Sequence, residues 1–275
     1  MKRHEKDGVV FYAFEHIERT GLARHGFSTK LGGVSEGVYA TMNLSGTRGD
    51  DAAHVHENIR RMACAMGMYH GQTVFCEQVH GTRVAVATPM LYNEGTVHPE
   101  GVRATDGLIA DTSDVVLATI HADCVPLFFL DMVRKAVGMT HAGWRGTLGD
   151  IAGETVRRMQ AEFGSDPSDV LVGIGPSIGP CCFEVGADVA AEFAAAMPYA
   201  TDCIQPSATD AGKAYMDLQR VNELLLLRAG VRAENIETAG LCTKCHDELF
   251  YSHRRDGQAR GSMAVFMQLN CGRDR

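Results

Sequence analysis

Three side chains set the terms of this sequence: His80, Cys124 and His141, each at or just beyond the end of an apolar, β-like run. Two imidazoles and one thiolate make a borderline-soft donor set suited to Zn²⁺. Three protein ligands leave a fourth tetrahedral position open, which is the arrangement of a catalytic rather than a structural metal site. His121 and His25 compete for a ligand role, and Asp123 is the acid expected to orient a liganding imidazole or to move protons. Arg145, between Trp144 and Gly146, offers a planar guanidinium fork to an anion. Read without a metal, the same residues give a second chemistry, with Cys124 as nucleophile and His141 as its base.

Elements must bring these residues together. The apolar runs 115–120 and 136–140 stop at His121 and His141, and 73–79 stops at His80. A side chain just past a strand end is rigid at its base and open at its tip, so the three are expected at the tips of neighbouring strands of one sheet. Further strands are expected over 82–87, 108–110, 170–174, 236–241 and 263–269. Helical spacing predicts helices over 52–66, 148–163, 188–197 and 217–229, the first capped by Asp50 or Asp51 and stopped by Gly67. Strands occur without regular βαβ alternation, which favours a mixed-sheet α+β architecture. The stretch 90–103 is the most loop-like, but it lies between His80 and Cys124 and so is not a domain boundary. One domain over 1–275 is expected.

Bulk properties narrow the function. With 275 residues, 45% of them hydrophobic and 22% charged, the chain has the composition of a globular protein with a sizeable core. A net charge of -8 argues against gripping a phosphate backbone, so no nucleic acid is expected as partner. No signal peptide or ~18-residue apolar span is visible, so no membrane partner and a cytoplasmic location are expected. Nine cysteines, an odd number at irregular spacing, fit reduced thiols and metal ligands better than disulfides.

Cys242-Thr243-Lys244-Cys245-His246 formally matches a c-type haem attachment site, but such sites belong to exported proteins. The acidic Asp247 and Glu248 would raise the thiol pKa, against a redox role. Cys242 and Cys245 read as loop residues; a second metal site using Cys181 or Cys182 is the lesser alternative.

Several motifs in one order resemble a known family: Gln78-Val79-His80-Gly81, Ala122-Asp123-Cys124-Val125-Pro126 and His141-Ala142-Gly143-Trp144-Arg145-Gly146. Phe27-Ser28-Thr29-Lys30, Asn43-Leu44, Thr105-Asp106-Gly107, 175–186 and Ser252-His253-Arg254-Arg255-Asp256 extend the likeness over nearly the whole chain. Together they resemble the purine nucleoside phosphorylases once described as multicopper polyphenol oxidases or laccases, the family of the YfiH and FAMIN proteins. The resemblance implies a layered α/β/β/α sandwich and zinc held by His80, Cys124 and His141. It implies phosphorolysis of adenosine, inosine, guanosine and methylthioadenosine, and deamination of adenosine. Purine nucleoside and inorganic phosphate are then the partners. Cys124, Asp123 and Arg145 are the expected catalytic residues, and Ser28, Lys30, Asn43 and Arg48 the expected substrate contacts. Departures fall at His121 (usually Thr), Lys30 (commonly Arg), Thr47-Arg48 (often His-Val) and Ala259-Arg260-Gly261 (expected Thr-Gly-Arg). They touch the anion and sugar contacts and leave the metal set intact. The alternatives are a copper-dependent phenol oxidase, the Cys-His hydrolase and a non-catalytic zinc-binding factor of cell-wall quality control.

Overall fold

A computed structural model of the protein describes residues 1–92 and 102–271. The strands are β1 (Lys2–Lys6), β2 (Val9–Ala13), β3 (Ala23–Ser28), β4 (Thr73–Phe75), β5 (Val84–Val86), β6 (Gly107–Ala110), β7 (Val116–His121) and β8 (Val125–Asp131). They continue as β9 (Ala136–Ala142), β10 (Val170–Ile174), β11 (Glu184–Gly186), β12 (Ile204–Pro206), β13 (Lys213–Met216), β14 (Ile236–Thr238) and β15 (Met263–Leu269). The helices are α1 (Glu15–Glu18), α2 (Ala52–Ala65), α3 (Trp144–Leu148), α4 (Ile151–Phe163), α5 (Ala187–Ala196), α6 (Leu218–Arg228) and α7 (His253–Asp256).

Two six-stranded sheets carry the architecture, in the orders β1-β2-β3-β15-β7-β4 and β14-β10-β8-β9-β6-β5; β11, β13 and β12 form a smaller third. Both large sheets are mixed: β4 runs parallel to β7, β5 to β6 and β14 to β10, the other pairs being antiparallel. This is the α+β class that the irregular strand spacing predicts.

The layering follows from the two-residue period of buried strands. In β8, Val125, Leu127 and Phe129 face one core with Ile151, Val156, Met159 and Leu225 of α4 and α6. The alternate Phe128 and Leu130 face the opposite way and pack between the sheets against Phe27, Leu117 and Val265. In β15, Ala264 and Phe266 turn outward to Val55, Ile59 and Met62 of α2. The order is therefore helix, sheet, sheet, helices. Each large apolar side chain buried in these layers contributes roughly 1.5–3 kcal/mol.

Helix ends follow local chemistry. Asp51 caps α2 by accepting from the Ala53 N–H at 2.7 Å, and Gly67 beyond it has φ 72°. The single helix expected over 148–163 is two, α3 and α4, because Asp150 turns left-handed at φ 62° and caps α4 through the Gly153 N–H. The strand expected over 73–79 stops at Phe75, where the chain leaves its sheet. Most of the loop expected over 90–103 lies outside the described residues.

Two crossovers position the site. β4 and β7 are parallel neighbours of the first sheet, with Phe75 beside Ala118, and each continues into a strand of the second, β5 and β8. β9 lies antiparallel to β8, with His141 opposite Pro126. The ends of β4, β7 and β9 therefore meet where the chain passes between the sheets. The expectation of one sheet is corrected: the three donors come from both, and His141 lies inside β9. Among the described residues, no helix is long and apolar enough to cross a membrane.

Candidate metal centre and its pocket

His80 lies within the first crossover, Cys124 closes the second, and His141 lies near the end of β9. Their ligand atoms all fall within 4.8 Å of one another. The His80 and His141 rings meet edge to face at 4.8 Å. Backbone room for this comes from Gly143: a Cβ there would stand 2.7 Å from His80 Cδ2 and 3.4 Å from Cys124 Sγ. His80 itself adopts φ 62°, uncommon for a side-chain-bearing residue.

Asp106, fully buried just before β6, holds that turn. Its Oδ1 accepts from the His80 N–H and from His141 Nδ1, both at 2.9 Å. Its Oδ2 accepts from the Val79 and Gly81 N–H groups at 3.1 and 2.8 Å. With Nδ1–H given to Asp106, His141 presents Nε2 to the donor cluster, the tautomer a metal requires. Burial would raise the Asp106 carboxyl, but the bonds from His141 and the backbone hold it below the usual carboxylate range.

The electrostatics favour ligand forms. Burial pushes the Cys124 thiol up, but the positive charge of His141 and hydrogen bonds from His141 and His80 bring it down to about 6. Burial pushes His141 down, and Cys124 with Asp106 raises it to about 9. Each group thus shifts the other toward its charged form, which favours a thiolate ligand at Cys124, and a metal bound through His141 Nε2 takes the place of a proton there.

The triad opens on a cavity of about 270 Å³ whose walls include Arg48, Glu77, Gln78, Ile120, His121 and Arg260. Gln78 is a strut: its Oε1 accepts from the Ile120 N–H at 2.7 Å and its Nε2 donates to the Ile120 carbonyl at 2.8 Å, continuing the ladder that β4 abandons. Arg260 is buried, and its Nε and Nη1 have no hydrogen-bond partner; Arg48 Nε is likewise unpartnered. Burial and then the charge of Arg48 push the Arg260 guanidinium down. Arg48 is half-buried and also donates from Nη1 to Gln258 Oε1 at 3.3 Å; two guanidinium groups lining one cavity favour an anion there.

Other expected residues take different places. Asp123 does not line the cavity; its carboxylate accepts from Thr243 Oγ1 at 2.6 Å, Ser252 Oγ at 3.0 Å and the Arg254 N–H at 2.7 Å. It clasps loops together away from the cavity wall. Arg145 is exposed and stacks over the Trp144 ring at 4.2 Å. Ser28 is buried in β3, where its Oγ accepts from the Ala264 N–H at 3.0 Å. Asn43 is saturated by Ser45, Asp50 and Ser262. Lys30 lies outside the cavity wall, with its backbone tied to Leu249, Thr41 and Met42. Of the four expected substrate contacts, Arg48 alone lines the cavity.

The competing histidines are occupied. His121 donates Nδ1–H to the Cys124 carbonyl at 3.1 Å and accepts at Nε2 from Thr119 at 2.8 Å, so it braces the Cys124 turn as a neutral ring. His25 packs against Phe14 and Phe128, accepting from the Phe14 N–H at 2.8 Å. Asp106, Glu77 and Arg260 had no assigned role in the sequence. The acid directly before an expected strand in Thr105-Asp106-Gly107 was the available signal for the first.

Residues 24–270 match the family model described as multi-copper polyphenol oxidoreductase laccase. The chain belongs to this laccase-like family. Purine nucleoside phosphorylase YlmD of Geobacillus stearothermophilus is 39% identical over 243 residues, 88% of each protein. Purine nucleoside phosphorylase YfiH of Escherichia coli is 34% identical, over 88% of this chain and 92% of its own. Purine nucleoside phosphorylase LACC1 of Homo sapiens is 34% identical over 89% of this chain but 55% of its own length. The crystal structure of YlmD from G. stearothermophilus has a TM-score of 0.89 at 37% identity, covering 98% of both chains. Within the laccase-like family the chain thus sits among relatives named purine nucleoside phosphorylase, and the layered fold implied by the motifs is the one observed.

Proposed function

We propose that the protein is a cytoplasmic, zinc-dependent purine nucleoside phosphorylase acting on adenosine, inosine, guanosine and methylthioadenosine, with adenosine deaminase activity at the same pocket. The observation that carries this is one cavity walled both by the His80, Cys124 and His141 donors and by the side chains of two arginines, Arg48 and Arg260. A nucleoside phosphorylase must hold a phosphate anion beside the glycosidic bond, and two arginines lining one pocket supply the charge for it.

The donor set fits zinc: nitrogen, nitrogen and sulfur close together, the thiol already ionised, and one imidazole oriented by a buried carboxylate. Zinc held there supplies a Lewis acid beside the cavity. The chain's own residues do the rest. Arg48 and Arg260 hold phosphate by charge-assisted hydrogen bonds. A phosphate oxygen forms the new bond to C1′ of the ribose as the bond from C1′ to the purine nitrogen breaks. The purine leaves with the proton that the attacking hydrogen phosphate gives up, and the other product is ribose 1-phosphate, or methylthioribose 1-phosphate from methylthioadenosine. In deamination, water replaces the amine at purine C6 and ammonia leaves. Glu77, a cavity-lining acid whose Oε2 accepts from the Ala104 N–H at 3.1 Å, is the residue we assign to that proton transfer in preference to Asp123, which accepts from Thr243, Ser252 and Arg254.

The Cys124–His141 ion pair also suits a thiol hydrolase. Zinc-saturated protein separates the two, since a ligating thiolate resists alkylation and a free nucleophile does not. The test of the main reading is adenosine with and without phosphate, products resolved as adenine, inosine and hypoxanthine. Adenine with ribose 1-phosphate only when phosphate is present, and inosine in either case, is expected. Adenine release independent of phosphate overturns the phosphorylase assignment. Phenol oxidation by copper-loaded protein, with no nucleoside turnover, replaces it with the oxidase.

A further inference from the structure

Among the described residues a second cluster of metal-type donors stands apart from the triad. Cys181, Cys182, Cys242 and Cys245 place their four sulfurs within 4.8 Å of one another. We propose that these thiols form a structural site for one zinc ion, bound as a tetrathiolate. Cys242 and Cys245 lie in a loop, as the sequence suggests, and this arrangement adds a role to that loop.

Spacing is the first argument. Cys245 Sγ lies 3.6 Å from Cys181 Sγ and 3.5 Å from Cys182 Sγ. Bonds of ~2.3 Å to a tetrahedral zinc give sulfur–sulfur edges of ~3.8 Å, whereas a disulfide brings sulfurs to ~2.05 Å. All four cysteines are free. Their separations are those of thiolates sharing an ion.

The scaffold is the second. Two loops distant in sequence are zipped side by side, the Ser177 N–H bonding the Leu241 carbonyl at 3.2 Å and the Thr243 N–H the Ser177 carbonyl at 2.9 Å. Cys242-Thr243-Lys244-Cys245 curls into a turn closed by the His246 N–H on the Cys242 carbonyl at 3.2 Å. From the other loop, the Gly179 N–H points at Cys242 Sγ at 3.2 Å, a donor that stabilises a thiolate. Four protein sulfurs leave no open position, so the site is structural.

Its place explains what it would stabilise. The same two loops grip Asp123: the Ile178 N–H bonds its carbonyl at 2.8 Å and Thr243 Oγ1 its carboxylate at 2.6 Å. Asp123 has φ 89° and directly precedes Cys124. An ion joining the loops fixes the turn that presents Cys124 to the cavity.

The test is zinc content per chain, by elemental analysis, of wild-type protein and of the double variant His80→Ala/Cys124→Ala, purified with reductant. Two zinc ions are expected in the first and one in the second. X-ray absorption at the zinc edge of the double variant is expected to show sulfur neighbours alone. Cys245→Ser is expected to lose the second ion or to show an oxygen neighbour, and if it fails to fold the other two readings still decide. No zinc in the double variant, nitrogen neighbours around it, iron in its place, or a disulfide in thiol titration overturns the proposal. Because it is read with the triad disabled, its failure is distinguishable from failure of the phosphorylase assignment.

Discussion

Replacing Asp106 by Asn removes a charge while keeping shape, so its effects follow from hydrogen-bond chemistry. The carboxylate accepts four bonds, two at each oxygen, from His80, His141, Val79 and Gly81. Asparagine keeps one acceptor oxygen and turns an NH₂ group against two donors. At about 1.5–3 kcal/mol for each bond to a charged acceptor, the two lost bonds cost about 3–6 kcal/mol of stability. His141 also loses the partner that fixes its tautomer, which weakens zinc by about 10–100-fold. Urea unfolding of metal-free protein reads the first effect, and competition with a chromophoric chelator the second. The reasoning fails if Asp106→Asn unfolds within about 0.5 kcal/mol of wild type and binds zinc within about threefold, the range of a surface substitution.

Three further outcomes are expected. Gly143→Ala places a methyl 2.7 Å from His80 Cδ2, so turnover and triad zinc should fall sharply with circular dichroism unchanged; full activity would show that His80 need not sit there. Arg260→Gln should raise the KM for phosphate by about tenfold or more, about 1.4 kcal/mol, with little change in the KM for nucleoside; an unchanged phosphate KM would remove Arg260 from the anion site. His25 is held by burial at about 3 against an ordinary 6.5. As pH falls below 6.5 the unfolded chain takes up a proton that native His25 refuses until about 3, so its contribution to stability is lost across that window. From pH 7 to 5 wild type should lose about 2 kcal/mol more than His25→Gln by urea unfolding, and equal losses would contradict a neutral buried His25.

The triad was legible because metal chemistry restricts residue types and the motifs repeat a family order. Its geometry was less so. Periodicity marked β9 and β15, yet gave no sign that β4 would end at Phe75, because Gln78 replaces the ladder there with a side-chain amide. Asp123 stood beside Cys124 in sequence, but a left-handed turn sends its carboxylate to the loops, while Asp106, distant in sequence, arrives beneath His80 and His141. Sequence adjacency is a poor guide where the backbone reverses. Arg260 carried a trace in the reordered Ala259-Arg260-Gly261. That it is buried against the cavity depends on tertiary packing, which a single residue type does not encode. Cys181 and Cys245 lie 64 residues apart and meet only through the pairing of two loops without regular secondary structure.

Everything proposed for the reaction rests on catalysis at the His80, Cys124 and His141 cluster, and inosine phosphorolysis tests it most directly. Ribose 1-phosphate formation is measured with zinc-stripped protein, with the same protein reloaded with zinc, and with Cys124→Ser reloaded in parallel. Activity that disappears on stripping, returns with zinc and stays absent in Cys124→Ser is the expected result. Phosphate-dependent turnover persisting in stripped protein or in Cys124→Ser would contradict the account and place the chemistry elsewhere.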